Sequence, residues 1–418
     1  MIDKEVAIVC NNNYIYRKEC KELKITQEIN PIGSEIPIGT IEIKLKLLRD
    51  WSTIFKEGEE IVVYFYGSEI VTARIISFRF VNEDLVLYCE DNVSILENTS
   101  FSGDVYSETP IISVLTTLFS VANVPWEIDE SLLDKTISGN INLTTCRDAL
   151  LQICFAVGAY VKCMNGTIYI CANKKIAAKK ITSSRILQDV NFEKSPYVSK
   201  IIIEEIGKPI YDSSDTILFS HYSTKGEIYE QFFPKAYARF DLEIEGGSIS
   251  TTDYDILEQS ARFIKIKFNM TSKKPFVYTG REIVDYARTI KAKENPLPQQ
   301  GSEKKEIIIN TATLVNQYNS EAVLNTVFSF LTSPQKISCK IVEGKHVQEG
   351  DFYKYGEAKY GAIKYGERKP SIITYDEPVH VGDTVEVDLG KLGVQTKLVK
   401  KQTYTLNSSI IVKECTLQ

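Results

Sequence analysis

Two stretches far apart in this chain are written to one plan, and a chain that repeats a strand meander is constrained to build the same kind of sheet twice. The first runs from Gly58 to Cys89 and the second from Gly382 to Cys415. Each opens on a glycine followed by an acidic residue, Glu59 or Asp383, and then two β-branched residues in alternation, Ile61 and Val63 or Val385 and Val387. A turn follows, at Gly67 or at Gly390 to Gly393. Next come a basic residue leading an aliphatic pair (Arg74-Ile75-Ile76 or Lys397-Leu398-Val399), an aromatic (Phe80 or Tyr404) and a last strand ending on cysteine. The offset is 324 residues at the glycines and 326 at the cysteines. Spacing held this closely is what an internal repeat of a β-barrel sheet predicts.

The rest of the chain divides around these two meanders. At 418 residues it exceeds one ordinary core and should form several domains. Strict alternation in Ile41 to Leu47, with Ile41, Ile43, Leu45 and Leu47 on one face and Glu42, Lys44 and Lys46 on the other, predicts a half-buried antiparallel strand. It assigns residues 1–100 to a first β-barrel. The pattern then turns helical. Ile111, Val114, Leu115, Leu118 and Phe119 share a helix face behind Pro110, and Pro125-Trp126 stops it. A second helix starts at Thr145 with Asp148 three residues on, and Gly158 ends it. Asn165-Gly166 is the expected type I′ hairpin turn, which sets Cys163 opposite Ile168 and Cys171 opposite Tyr160. Residues 101–180 thus read as a small inserted α+β domain. Residues 181–334 read as a β-rich segment with a helix at 253–262, an exposed polar loop at 293–305 and a helix at 320–331. Residues 335–418 form the second barrel. The fold class is mainly β, α+β overall. Whether the first barrel borrows strands from residues 181 to 235 is left open.

Composition narrows the function. A hydrophobic content of 43%, a charged content of 25% and a net charge of −6 describe a soluble globular chain and argue against general nucleic-acid binding, which needs a basic face. The N-terminus lacks the pattern of a secretion signal, and no apolar run is long enough to span a bilayer, so a cytosolic origin without membrane insertion is expected. Nine scattered cysteines without a C-x-x-C pair predict buried free thiols.

No catalytic motif emerges. His221, His346 and His380 are far apart and in no metal-binding spacing. Neither a G-x-S-x-G elbow nor a phosphate-binding glycine loop occurs, and no cofactor is implied. Acidic pairs such as Glu59-Glu60 and Glu204-Glu205 could serve a glycosidase only if held across a cleft, and solvated surface charge is the default reading. One local pattern stands apart: Tyr355-Gly356, Tyr360-Gly361 and Tyr365-Gly366 recur every five residues, a period of neither strand nor helix. Successive turns are expected there. Tyr355, Tyr360 and Tyr365 either pack on their own barrel or face a protein partner.

The order of barrel, inserted α+β domain, β-rich segment and second barrel resembles the baseplate hub family of contractile phage tails and phage-tail-like (R-type) bacteriocins. Thr144 to Ile170 looks like that family's inserted helix and hairpin, and Val381 to Val387 like the strand opening its last barrel. The resemblance implies two tail-tube-like barrels and a homotrimer forming a pseudo-hexameric ring that adapts a six-fold tube to a three-fold spike. Implied partners are the central spike protein, the tail tube or tube-initiator protein, the baseplate wedge proteins and the tape-measure protein. The chain would then be a non-enzymatic virion component, made in the bacterial cytoplasm. Two other readings stay open: the tail hub or tail-associated protein of a non-contractile phage, and a cell-wall glycan-binding or hydrolysing module.

Overall fold

Alternating apolar residues dictate that most of this chain pairs as strands, and a computed structural model shows thirteen of them in one sheet. The structure describes residues 6–32, 35–51, 53–65, 67–173, 179–194, 197–245, 249–295, 305–309, 312–332, 335–342, 345–348, 372–375, 379–390, 393–406 and 411–418. Strands of the large sheet are numbered in chain order and all others are named by residue. They are β1 (Val6–Cys10), β2 (Asn13–Tyr16), β3 (Cys20–Glu28), β4 (Thr40–Lys46), β5 (Glu60–Phe65), β6 (Ser68–Val81) and β7 (Asp84–Glu90). After the insertion follow β8 (Lys179–Ile181), β9 (Ile186–Lys194), β10 (Gln335–Val342), β11 (Thr384–Asp388), β12 (Val394–Leu406) and β13 (Ile411–Leu417).

The pairing order is β9-β10-β13-β12-β3-β4-β7-β6-β5-β1-β2, with β11 beside β12 and β8 beside β11. Ile8 of β1 and Ile25 of β3 share one core with Ile43, Ile61, Val63, Ile75 and Leu87, although β4, β7, β6 and β5 lie between them in the order. Only a sheet that curls on itself can bring such strands together. The second half wraps a separate core of Ile181, Ile337, Cys339, Val385, Val387, Val399 and Cys415. The chain is mainly β, with two barrel-like halves. Residues 179–194 supply β8 and β9 to the second half, so the strands borrowed from beyond residue 178 go there and not to the first barrel.

The two halves repeat one another down to single hydrogen bonds. Gly58 N–H donates to Ile75 O at 2.7 Å and Ile75 N–H to Glu59 O at 2.9 Å; Gly382 N–H donates to Val399 O at 2.8 Å and Val399 N–H to Asp383 O at 2.9 Å. Both glycines have φ +84°, a conformation costly for any other residue. The acidic residues close the same turn, Glu59 accepting from Lys56 N–H and Asp383 from His380 N–H. A register irregularity follows at matched places, between Ile75 and Ser77 on β6 and between Val399 and Lys401 on β12. Beyond it, Phe78 opposes Leu87 and Gln402 opposes Cys415. Two details of the sequence alignment are therefore corrected. Cys415 stands where Leu87 stands, two residues from Cys89, and Val399 matches Ile75. A two-residue slip keeps the same strand face inward, so the hydrophobic pattern alone does not detect it.

The inserted domain follows its sequence closely. Helix α1 (Ile111–Ala122) buries the expected face, and α2 (Cys146–Val157) buries Ala149, Leu150, Ile153 and Cys154. Asn123, at φ 52°, ends α1 ahead of Pro125. The Thr145 hydroxyl accepts from Asp148 N–H at 3.1 Å, and Gly158, at φ 70°, closes α2. The hairpin has the predicted register, with Tyr160 opposite Cys171 and Cys163 opposite Ile168 around a turn with φ of 51° at Asn165 and 71° at Gly166. None of the nine cysteines forms a disulfide, and all but Cys171 are buried.

The β-rich segment departs from expectation at two places. Residues 254–259 form a strand, not a helix. Their neighbour Phe263–Phe268 alternates strictly and pairs on both sides, and that pairing overrides the helix propensity of Asp253 to Arg262. The expected loop at 293–305 is shorter at both ends: Lys293 and Glu294 finish the long strand Phe276–Glu294, and Lys305 begins Lys305–Ile309. Residues 296–304 lie outside the described residues. Helix α3 (Ser320–Leu331) lies where it is predicted.

Asp91 ties the end of β7 to the chain before β4. Its carboxylate accepts from Gly39 N–H at 2.9 Å and from Val93 N–H at 3.0 Å, and a Cβ on Gly39 would sit 2.4 Å from it. Burial pushes the carboxyl pKa up to about 7, against about 4 in an unfolded chain. The folded form therefore holds a proton that the unfolded form releases. The stability this adds is complete below about pH 4 and is lost as pH rises through about 7. Thermal melts from pH 4 to 8 should show that loss, and Asp91→Asn should flatten this part of the profile; an unchanged slope would place the proton elsewhere.

Candidate functional site: the joint between the two barrels

The most distinctive surface of the chain lies inside it, where β12 of the second half pairs antiparallel with β3 of the first. Lys401 opposes Glu28, Gln402 opposes Gln27, Thr403 opposes Thr26, Tyr404 opposes Ile25, Thr405 opposes Lys24 and Leu406 opposes Leu23. Strand alternation sorts these pairs by face. Gln402, Tyr404 and Leu406 point inward with Gln27, Ile25 and Leu23, and all are buried. Tyr404 belongs to the first core although it is carried by the second meander, and it meets Phe65 edge-on with ring centroids 5.5 Å apart. On the outer face Lys401 and Glu28 form a partly exposed ion pair at 3.1 Å.

Buried polar groups set the register of this joint. Gln402 donates its side-chain amide to Gln27 Oε1 at 2.5 Å, and Gln27 in turn donates to Cys163 O at 3.5 Å in the inserted hairpin. Lys413 is fully buried; its Nζ donates to Tyr404 Oη at 2.8 Å and to the carbonyl of Val379. A one-residue slip of β12 against β3 would break the Gln402–Gln27 bond and leave polar groups without a partner in a dry interior, while Lys413 braces Tyr404 from the neighbouring strand of the second half. Burial also pulls the Lys397 and Lys400 amines beside the joint below their ordinary range.

The inserted hairpin clamps both halves. Tyr160 Oη donates to Gly382 O at 2.7 Å on the second, and Asn92 Nδ2 of the first donates to Gly166 O at 2.5 Å. Ile29, Tyr160, Val381 and Leu398 form a small shared core across the seam.

Residues weighed from sequence as sites lie elsewhere. Tyr355, Tyr360 and Tyr365 fall outside the described residues. His221 pairs with Glu227 at 2.9 Å and stacks on Tyr229, His380 sits in the turn before β11, and no group of three or more His, Cys, Asp or Glu could hold a metal among the described residues. The acidic pairs are engaged separately: Glu204 faces Arg288, Glu205 faces Lys291 and Thr289, and Glu59 closes its turn. Among the described residues no helix is long and apolar enough to cross a membrane. The joint itself escaped the sequence reading. Its one signal was the set of inward positions held by Gln27, Gln402 and Lys413 in otherwise apolar strand faces.

Lys413→Ala should cost about 2–4 kcal/mol of stability, from a cavity and from Tyr404 and Val379 losing their donor. Lys401→Ala, on the exposed flank of the same joint, should cost about 0–1 kcal/mol. Urea unfolding of both variants checks the contrast, and equal losses would remove the buried contacts from this role.

No protein-family model and no curated protein matches the sequence. Solved structures do. The tail protein from Neisseria meningitidis MC58 is similar over 99% of this chain and 95% of its own, with a TM-score of 0.58 at 10% identity. The 43 kDa tail protein of prophage MuSo2 from Shewanella oneidensis is similar over 99% of this chain and 98% of its own, with a TM-score of 0.53 at 8% identity. At such low identity the likeness is one of fold, and it extends over nearly the whole chain.

Proposed function

We propose that this protein is a structural component of a phage tail or tail-like particle, and specifically the baseplate hub of a contractile tail or tail-like bacteriocin. The observation that carries this reading is the repetition of the barrel halves down to matched hydrogen bonds, together with likeness in fold to two phage tail proteins over nearly their entire lengths. A homotrimer of such a chain offers six similar half-sheets around one axis. It can meet a six-fold tube on one side and a three-fold spike on the other. In this role the protein carries no catalytic residues. Its partners are the spike, the tube or tube-initiator protein, the wedge proteins and the tape-measure protein. We divide the chain as 1–100, 101–180, 181–334 and 335–418, with residues 179–194 joining the last unit through β8 and β9.

Light scattering of the purified protein, alone and with its cognate spike protein, tests this. A particle of about 142 kDa, three times 47.3 kDa, in either sample is the expected result, with one spike trimer added in the second. A monomer indifferent to the spike would sink the hub reading, and hydrolysis of purified peptidoglycan by the isolated protein would turn attention to a cell-wall enzyme.

A further inference from the structure

The internal repeat leaves one joint made and its twin open. Strands β3-β4-β7-β6-β5 and β9-β10-β13-β12-β11 have the same order and the same antiparallel pairing. Within the chain, β12 of the second set meets β3 of the first. The equivalent edges are β6 of the first set and β9 of the second. Both are open among the described residues: β6 has no partner opposite β7 beyond the contacts of Ile75, and β9 pairs only with β10. They sit at separate places in the strand order of one molecule, with β10, β13, β12, β3, β4 and β7 between them, and do not pair with each other.

We infer that β6 of one copy pairs with β9 of the next, in the register that β12 and β3 already show within the chain. The mapping follows from matched pairs. Gln402 opposes Cys415 as Phe78 opposes Leu87, which sets Arg79 in the place of Thr403, Phe80 in that of Tyr404 and Val81 in that of Thr405. Cys415 pairs Cys339 as Leu87 pairs Ile43, and Val190 and Phe192 oppose Cys339 and Ile337 as Leu23 and Ile25 oppose Ile43 and Ile41. Phe192 therefore takes the place of Ile25, and Glu193 that of Thr26.

Transferred to the open edges, the pair Tyr404 with Ile25 becomes Phe80 with Phe192, and the pair Thr403 with Thr26 becomes Arg79 with Glu193. The chemistry agrees with that register. Phe80 is 53% exposed and Phe192 37% exposed, although their counterparts Tyr404 and Ile25 are wholly buried. Arg79 and Glu193 are exposed and opposite in charge. An aromatic pair on the core face and an ion pair on the outer face are what directly opposed strand positions favour. An open edge carrying exposed Ile76, Phe80 and Val81 is also a hazard unless it has a partner. Joining one edge type to the other is a head-to-tail contact, which closes into a ring when the rotation closes. The occupant is thus a second copy of this chain.

This inference rests on the trimer proposed above, and the test separates the two. Phe80→Glu should raise the concentration for half-assembly at least about 30-fold, the loss of one central anchor, with the thermal melt of the monomer unchanged. Arg79→Glu should weaken assembly, and adding Glu193→Arg should restore it. A chain carrying both Phe80→Cys and Phe192→Cys should form covalent trimers under mild oxidation, whereas Phe80→Cys with Glu193→Cys, one residue out of register, should not. A wild-type trimer that survives Phe80→Glu and gives no cross-link overturns the joint and leaves the trimer standing. A wild-type protein that stays monomeric with its spike present overturns both.

Discussion

The pairing of β12 with β3 joins two strands from opposite ends of the chain, and its central glutamines are 375 residues apart. Closing a loop of that length costs about 5 kcal/mol in chain entropy, because the cost grows only with the logarithm of length. Burial of Tyr404 and Leu406 in the first core offsets about 3–6 kcal/mol of this, and the buried hydrogen bonds add to it. Without the joint, β12 would end as a frayed edge and the two cores would be held together mainly through the inserted hairpin. The placement of the inserted domain depends on it as well, since the hairpin grips Gly382 on one half and Asn92 on the other.

Polarity at the seam serves register more than strength. Apolar strands of this kind can slide in steps of two without turning their buried face outward. Gln27 and Gln402 oppose that freedom locally. Their mutual hydrogen bond forms at one alignment only, and a buried polar group without a partner is costly. The hydrogen-bonded turns at Gly58 and Gly382 do the same for the start of each meander.

Much of this was legible in the sequence where the governing contacts are local. The Thr145 cap, the Gly158 stop and the Asn165-Gly166 turn each act within a few residues, so the helix and hairpin fell where they were expected, with the cross-strand positions of Cys163 and Cys171 correct. Residues 254–259 show the opposite case: their own composition favours helix, and their state is set by the alternating strand that follows them. The joint was least legible. Gln27 and Gln402 carry no mutual signal in a single sequence, and inward polar residues become meaningful only once the facing strand is known. The repeat could be seen because matched glycines and acidic residues mark its turns, but the slip in its last strand could not, since both alignments present the same apolar face.

The covalent continuity of the joint bears on how a ring of three chains would come together. Of its six contacts between half-sheets, three form inside single chains as those chains fold, at an effective concentration set by the intervening domains and not by the number of copies in the cell. Only three contacts then depend on encounters between molecules. A ring of six separate single-barrel subunits must capture every neighbour from solution, whereas in the proposed ring this chain would arrive with half of its neighbours already attached and in order.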